Sequence, residues 1–297
     1  MMPTTDNRTL ISPSALRRPA GRATYLVVTI ATALVFAAAF VFPLYWMVTG
    51  ALKSSHELAQ PTPSLVPHGL HPDSFTNAWD TLQIGHYFLN TVGYAAGGWL
   101  VQLVVDVCAA YALSRLRPWG GRAILGMMLA GLMLPPVALL VPAYLTVSDV
   151  PLLGLNLLNT PWALWLPAAA NAFNIYVLKR FFDQLPQELL DAADIDGAGR
   201  LRILWSIVLP LSRPVLAVVS IFAVIGMWKD FLWPLIVLPD PDSQTLSVAL
   251  SHLAGTGYVP ANTMMAGLVI TSVPMLVVYL ALQRHILSGL SIGAIKG

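Results

Sequence analysis

The chain has 297 residues, of which 57% are hydrophobic and only 10% charged, with a mean hydropathy of +0.70 and a formal net charge of +2. Soluble domains carry roughly 25% charged residues, so the composition excludes an ordinary soluble protein and points to a polytopic membrane protein. So small a net charge, without an arginine- or lysine-rich tract, excludes a nucleic-acid surface. The single cysteine, Cys108, lies in an apolar run, which excludes a disulfide framework and a thiolate metal cluster.

In chain order, residues 1–24 form a polar N-terminal tail with Arg8, Arg17, Arg18 and Arg22. The apolar run from Tyr25 to about Leu52 exceeds the 7–15 residues or so of a signal-peptide core. It is long enough to cross a hydrocarbon layer of ~30 Å, which predicts an uncleaved first helix over about 25–50. Further spans are predicted over about 91–114, 123–146, 161–178, 214–237 and 263–283. The third contains Pro135, Pro136 and Pro142. Prolines are tolerated in lipid where neighbouring helices satisfy the freed carbonyls, so their number predicts bent helices around a cavity. His56, His68, His71 and His86 show no metal-ligand spacing and read as loop residues, with no metal site.

Orientation follows from the cations. In a six-span arrangement all sixteen lysines and arginines except Lys53 and Lys229 fall on one side: the N-terminal tail, the turn RLRPWGGR, the segment between spans four and five, and the C-terminal tail 284–297. Positive charge marks the cytoplasmic side, so both termini are predicted there. Moving one span would scatter the cations.

The segment between spans four and five, about 184–212, holds an unusual density of charge in DAADIDGAGRLRILWSIVLP. A calcium loop fails, because Ala192 and Ile203 stand where two oxygen ligands are required. A dinucleotide turn fails for want of a preceding strand and a third glycine. A pair of short surface helices remains: Pro186 opens the first, Gly197 supplies a break where positive φ is available, and the second runs to a stop at Pro210. Leu189, Ala192 and Ala193 would share one face of the first helix at i, i+3, i+4 spacing. Local physics leaves a docking knob and a solvated helical loop equally open.

D-A-A-x-x-x-G-x₉-I-x-L-P resembles the EAA loop of permease subunits of binding-protein-dependent ABC importers. Ala192, Ala193, Gly197, Ile207, Leu209 and Pro210 match, and Asp191 stands where that family usually has glutamate. FPLYWMVTGALKSSHEL, AYALSRLRPWGGR and NTPWALWLPAAANAFNIYVLKRFFDQLPQELLDAADIDGAG extend the likeness over nearly the whole chain, and GLSIGAIKG resembles the ending of the second permease of carbohydrate-type importers. The resemblance implies an all-α polytopic membrane protein with six transmembrane helices over 25–283, in the type I ABC importer permease fold. It implies one half of a sugar or oligosaccharide pathway in a bacterial or archaeal cell membrane, coupled through the loop to a separate cytoplasmic ATPase dimer. A second permease subunit and an extracytoplasmic solute-binding protein complete the implied assembly. The chain itself would be non-catalytic and bind no cofactor, with ATP and Mg on the ATPase, and no G-x-x-x-x-G-K-[ST] occurs here. A polyol or sugar phosphate is the alternative solute.

Ionisable groups inside a membrane are costly and mark candidate functional positions. Asp106 lies in span two, and Lys229 and Asp230 lie in span five. These groups either pair with one another or a partner subunit, or line a translocation cavity with Asn171, Asn174 and Tyr176 of span four. Trp228 and Trp233 either anchor at the membrane interface or pack against a sugar's apolar face. An enzyme would gather acids or histidines at one membrane depth, and only scattered polar groups appear. By local physics the last dozen residues fray; the family resemblance instead implies that Gly293, Lys296 and Gly297 reach toward the ATPase pair.

Overall fold

The structure, a computed structural model, describes residues 19–62 and 64–294, with side chains at all of these except 279 and 281–294. It is helical throughout: α1 (Pro19–Ala51), α2 (Asp73–Thr81), α3 (Ile84–Tyr111), α4 (Gly121–Gly131), α5 (Leu140–Ser148), α6 (Pro161–Ala168), α7 (Ala172–Asp183), α8 (Gln187–Ile195), α9 (Arg200–Ile203), α10 (Arg213–Lys229), α11 (Leu232–Val237), α12 (Leu246–Thr256) and α13 (Ala261–Ala294). Two π turns, Ala112–Leu116 and Leu204–Val208, interrupt it.

Each predicted span has a helical counterpart, but among the described residues only three are unbroken helices long and apolar enough to cross a membrane: α1, α3 with its π turn, and Ala261–Val278 of α13. Span three is two helices, α4 and Pro136–Ser148, meeting at 107°. Pro135, held extended by the proline that follows it, makes that corner. Span four breaks at Ala169–Asn171 between α6 and α7. Span five, read as continuous over 214–237, ends at Lys229; Asp230 is extended and α11 follows. At the C-terminus the helix continues to Ala294 where the sequence indicated a tail, so Gly293 lies in α13, while Lys296 and Gly297 lie outside the described residues.

α3 is the hub, packing against α6, α7, α10 and α12, whereas α1 packs mainly against α13. The hub approach is close because α3 carries Gly97 and Gly98. A Cβ at Gly98 would sit 2.7 Å from Met227 Sδ and 3.1 Å from Trp165 Cδ1. Small residues let membrane helices approach in this way. One apolar core closes the end bearing residues 184–212, around Tyr111, Leu178, Phe182, Leu190, Ile203 and Val208. A second closes the opposite end, around Ala51, Leu82, Ile84, Leu250 and Ala266.

At that opposite end Lys53 is 1% exposed. Its ammonium lies 4.4 Å from the centre of the Trp46 ring and donates to the Ser64 carbonyl. Beside it the Ser64 hydroxyl donates to Glu57 and holds that carboxyl below its ordinary range. The same carboxylate takes His68 Nδ1 at 3.0 Å, so His68 is tied into the loop.

Candidate functional site: a cavity at three helix breaks and a capped loop beneath it

Two cavities, of about 250 and 450 Å³, share the walls Pro167, Ala168, Met227 and Asp230. All three broken spans open onto them: Leu132 and Ala143 from the two arms of span three, Pro167, Ala168, Ala170 and Asn171 from the break in span four, and Asp230 from the break in span five. Asn171 and Asn174 line the larger cavity, Trp233 the smaller, and Asp230 both. The indole Nε1 of Trp233 donates to Ala163 O at 2.9 Å, and that of Trp165 to Tyr94 O at 3.0 Å. Their polar atoms are thus satisfied by backbone, and the rings present apolar surface to the smaller cavity. Trp165 was not among the residues singled out from sequence.

Two candidates lie elsewhere. Asp106 is 1% exposed and lines neither cavity. Its Oδ1 accepts the Asn171 N–H at 2.9 Å. A helix broken in lipid leaves backbone groups that must find partners, and Asp106 supplies one while Asn171 Oδ1 caps α7 by accepting from Asn174 N at 3.1 Å. Asp106 therefore holds the Asn171 end of the break and lines neither cavity. Trp228 packs edge-on against Phe88, ring centres 5.8 Å apart. Among the described residues no ion pair joins Lys229 to Asp230.

The segment 184–212 folds as the expected helix pair. α8 begins after Pro186 and ends in a Schellman cap: Ala198 N donates to Ala193 O at 2.9 Å and Gly197 N to Asp194 O at 3.0 Å, with Gly197 at φ +75°. The second helix does not stop at Pro210. It widens into the π turn 204–208 and runs through Pro210 to Leu211, then bends by 84° into α10.

The shared face expected for Leu189, Ala192 and Ala193 is split. Ala193 turns inward with Leu190 to meet Phe182 and Ile203, while Leu189, Asp191 and Ala192 are exposed. The physical reason is that α8 is apolar at 189, 190, 192, 193 and 195, so its periodicity leaves the buried side undecided. Ile207 and Leu209 are half-buried against the same core, and Pro210 is exposed. The exposed surface of the loop carries Ile195, 86% exposed, and Trp205, 69% exposed, together with Leu201.

The end of α3 and the π turn after it fasten onto α7 and the loop. Ser114 Oγ donates to Asp183 Oδ1 at 2.7 Å, and Lys179 Nζ reaches Asp183 Oδ2 at 2.7 Å. Burial works to raise the Asp183 carboxyl, but these two hydrogen bonds together with the charges of Lys179 and Arg115 hold it below its ordinary range. Tyr111 OH donates to Arg200 O at 3.2 Å.

Residues 107–292 match the family described as "Binding-protein-dependent transport system inner membrane component". The chain belongs to this family. It is 33% identical over 261 residues to the "Probable ABC transporter permease protein YurM" of Bacillus subtilis, covering 87% of this chain and 85% of that one. It is 32% identical over 260 residues to the "Diacetylchitobiose uptake system permease protein NgcG" of Streptomyces coelicolor, covering 86% and 84%. In fold it matches a chain of a bacterial ABC transporter that imports the acidic polysaccharide alginate, with a TM-score of 0.78, 24% identity, and coverage of 93% of this chain and 99% of that one. The permease fold and membrane residence are therefore those of the family.

Proposed function

We propose that this chain forms half of the translocation path of an importer for a sugar or oligosaccharide. A second permease subunit forms the other half, an ATPase dimer binding ATP and Mg drives transport from the cytoplasm, and an extracytoplasmic binding protein delivers solute. Both termini and residues 184–212 face the cytoplasm in this reading. ATP hydrolysis falls to the ATPase, and no catalytic residue is assigned here.

One observation carries the proposal: three helix breaks open on one pair of adjoining cavities. Discontinuous membrane helices place solute-binding groups at mid-membrane in transporters. Asn171, Asn174 and Asp230 offer hydrogen-bonding groups there, and Trp165 and Trp233 offer flat apolar faces, a combination suited to a hydroxyl-rich ring. The diacetylchitobiose name of one relative agrees with this chemistry.

Asp191, Ala192 and Gly197, with Ile195, Leu201 and Trp205, form the surface that seats on the ATPase. Ala193, Ile207 and Leu209 support that surface from below, and Pro210 redirects the chain. Gly293, Lys296 and Gly297 make the C-terminal contact.

The test is purification of the tagged chain with its co-expressed ATPase. Ile195→Glu combined with Trp205→Glu should release the ATPase and abolish uptake while leaving the subunit in the membrane. Full ATPase retention with both glutamates would overturn the docking surface, and a wild-type chain that never carries an ATPase would overturn the function. Sidedness is read by impermeant thiol labelling in a Cys108→Ser background: a cysteine at position 200 should react only after the inner face is opened.

A further inference from the structure

Arg115, in the π turn that ends the hub helix, is joined to the coupling loop more closely than any residue the sequence singled out. Its Nη2 donates to the carbonyls of Phe182 and, at 3.0 Å, Leu185; its Nη1 donates to Gln187 Oε1 at 3.0 Å. Gln187 Nε2 in turn donates to Asp191 Oδ1 at 2.9 Å. One guanidinium thus spans the end of α7, the 184–186 turn and the first residue of α8.

Two features make this more than a local brace. Arg115 sits in a wide turn: Arg117 N bonds back to Ala112 O at 2.9 Å, the five-residue reach of a π turn, and π turns gather at functional positions. A polar cavity of about 240 Å³, lined by Arg115, Gln187, Leu190, Asp194 and Arg200, separates the loop from the hub around the clamp. The loop is therefore not packed solidly onto α3 at this point. Arg115 Nε is buried with no acceptor among the described residues.

We propose that Arg115 is the positioning residue that transmits displacement of the coupling loop to the hub helix, through the relay Arg115–Gln187–Asp191. This rests on the assignment of residues 184–212 as the ATPase-coupling loop. The planar fork holds three acceptors in fixed directions, which a lysine cannot reproduce. Loss of the fork should leave the loop folded by its cap and its apolar underside, but slack against α3.

The experiment uses the whole transporter with its binding protein in proteoliposomes, reading solute uptake and ATP hydrolysis together. Arg115→Lys should lower the solute moved per ATP hydrolysed by roughly tenfold, with ATP hydrolysis per assembled complex kept within about twofold. Gln187→Ala, which cuts the relay at an exposed position, should lower the ratio in the same direction by a few-fold, roughly three. Uptake and hydrolysis falling in step, or an unchanged ratio in both variants, would overturn the proposal and leave Arg115 a structural clamp. A wild-type complex that shows no coupled hydrolysis would instead overturn the coupling-loop assignment itself.

Discussion

The segments Pro19–Ala51 and Ile84–Leu116 each have 33 residues, yet the rest of the chain surrounds them very differently. The first has the higher mean hydropathy, 2.4 against 1.5, and none of its most apolar window is buried within the chain, against 33% for the second. The less apolar helix is the central one. In water, burial sorts residues by hydrophobicity; in lipid, the surroundings are as apolar as the side chains, and helices associate through close packing and hydrogen bonds instead. Thr91, Gln102 and Asp106 are the buried polar groups of α3, and Thr91 and Asp106 each accept a backbone N–H from another segment, Leu246 and Asn171. α1 has no buried polar group among its described residues: Thr24 and Thr49 bond within their own helix, and the exposed Tyr45 hydroxyl donates to Leu65 O.

This contrast can be broken by substitutions graded from hub to periphery, each read as the temperature at which the purified transporter loses its monodisperse state. Asp106→Leu should have the largest effect, about 2–3 kcal/mol with loss of uptake, because it strands the Asn171 N–H at a helix break. Asp106→Asn, which keeps an acceptor, should recover most of it. Gly97→Ala comes next, at about 1–2 kcal/mol, since its methyl would run into the Trp165 ring, which is pinned through Tyr94 O. Gly50→Ala, in α1, should cost less than about 1 kcal/mol, because the obstructing atom belongs to the flexible Met265 side chain. Phe36→Leu, on the exposed face of α1, should fall within about 0.5 kcal/mol of wild type. A Phe36 effect as large as that of Gly97 would mean that α1 is a structural partner of a second subunit and not simply lipid-facing.

Hydropathy made the helices legible because length and apolarity alone report a span. Prolines made one break legible in kind: Pro135–Pro136 set the corner in span three; Pro167, before the break in span four, was not singled out. The break at Asp230 was not legible, since MWKDFLWPL reads as one continuous apolar run with a charged pair inside it. Gly197 was placed correctly because a positive φ has few residue solutions. The inward turn of Ala193 was hidden, as two opposite faces of a nine-residue helix are both apolar. The Asp106 contact was hidden because a carboxylate in a span has several explanations, and its partner Asn171 lies 65 residues away. Arg115 was hidden for the same reason: its acceptors lie some 70 residues further along the chain.

The pairing of α1 with α13 has a consequence for biogenesis. α1 is the first described helix to leave the ribosome, and the helix it leans on is the last, beginning about 210 residues later. At translation rates of roughly 5–20 residues per second, α1 spends about ten to forty seconds in the bilayer before its neighbour is made. A helix with polar groups to satisfy would be exposed to mispairing during that interval. α1, with a mean hydropathy of 2.4 in its most apolar stretch and no carboxylate or buried polar group there, is suited to lipid while it waits for α13.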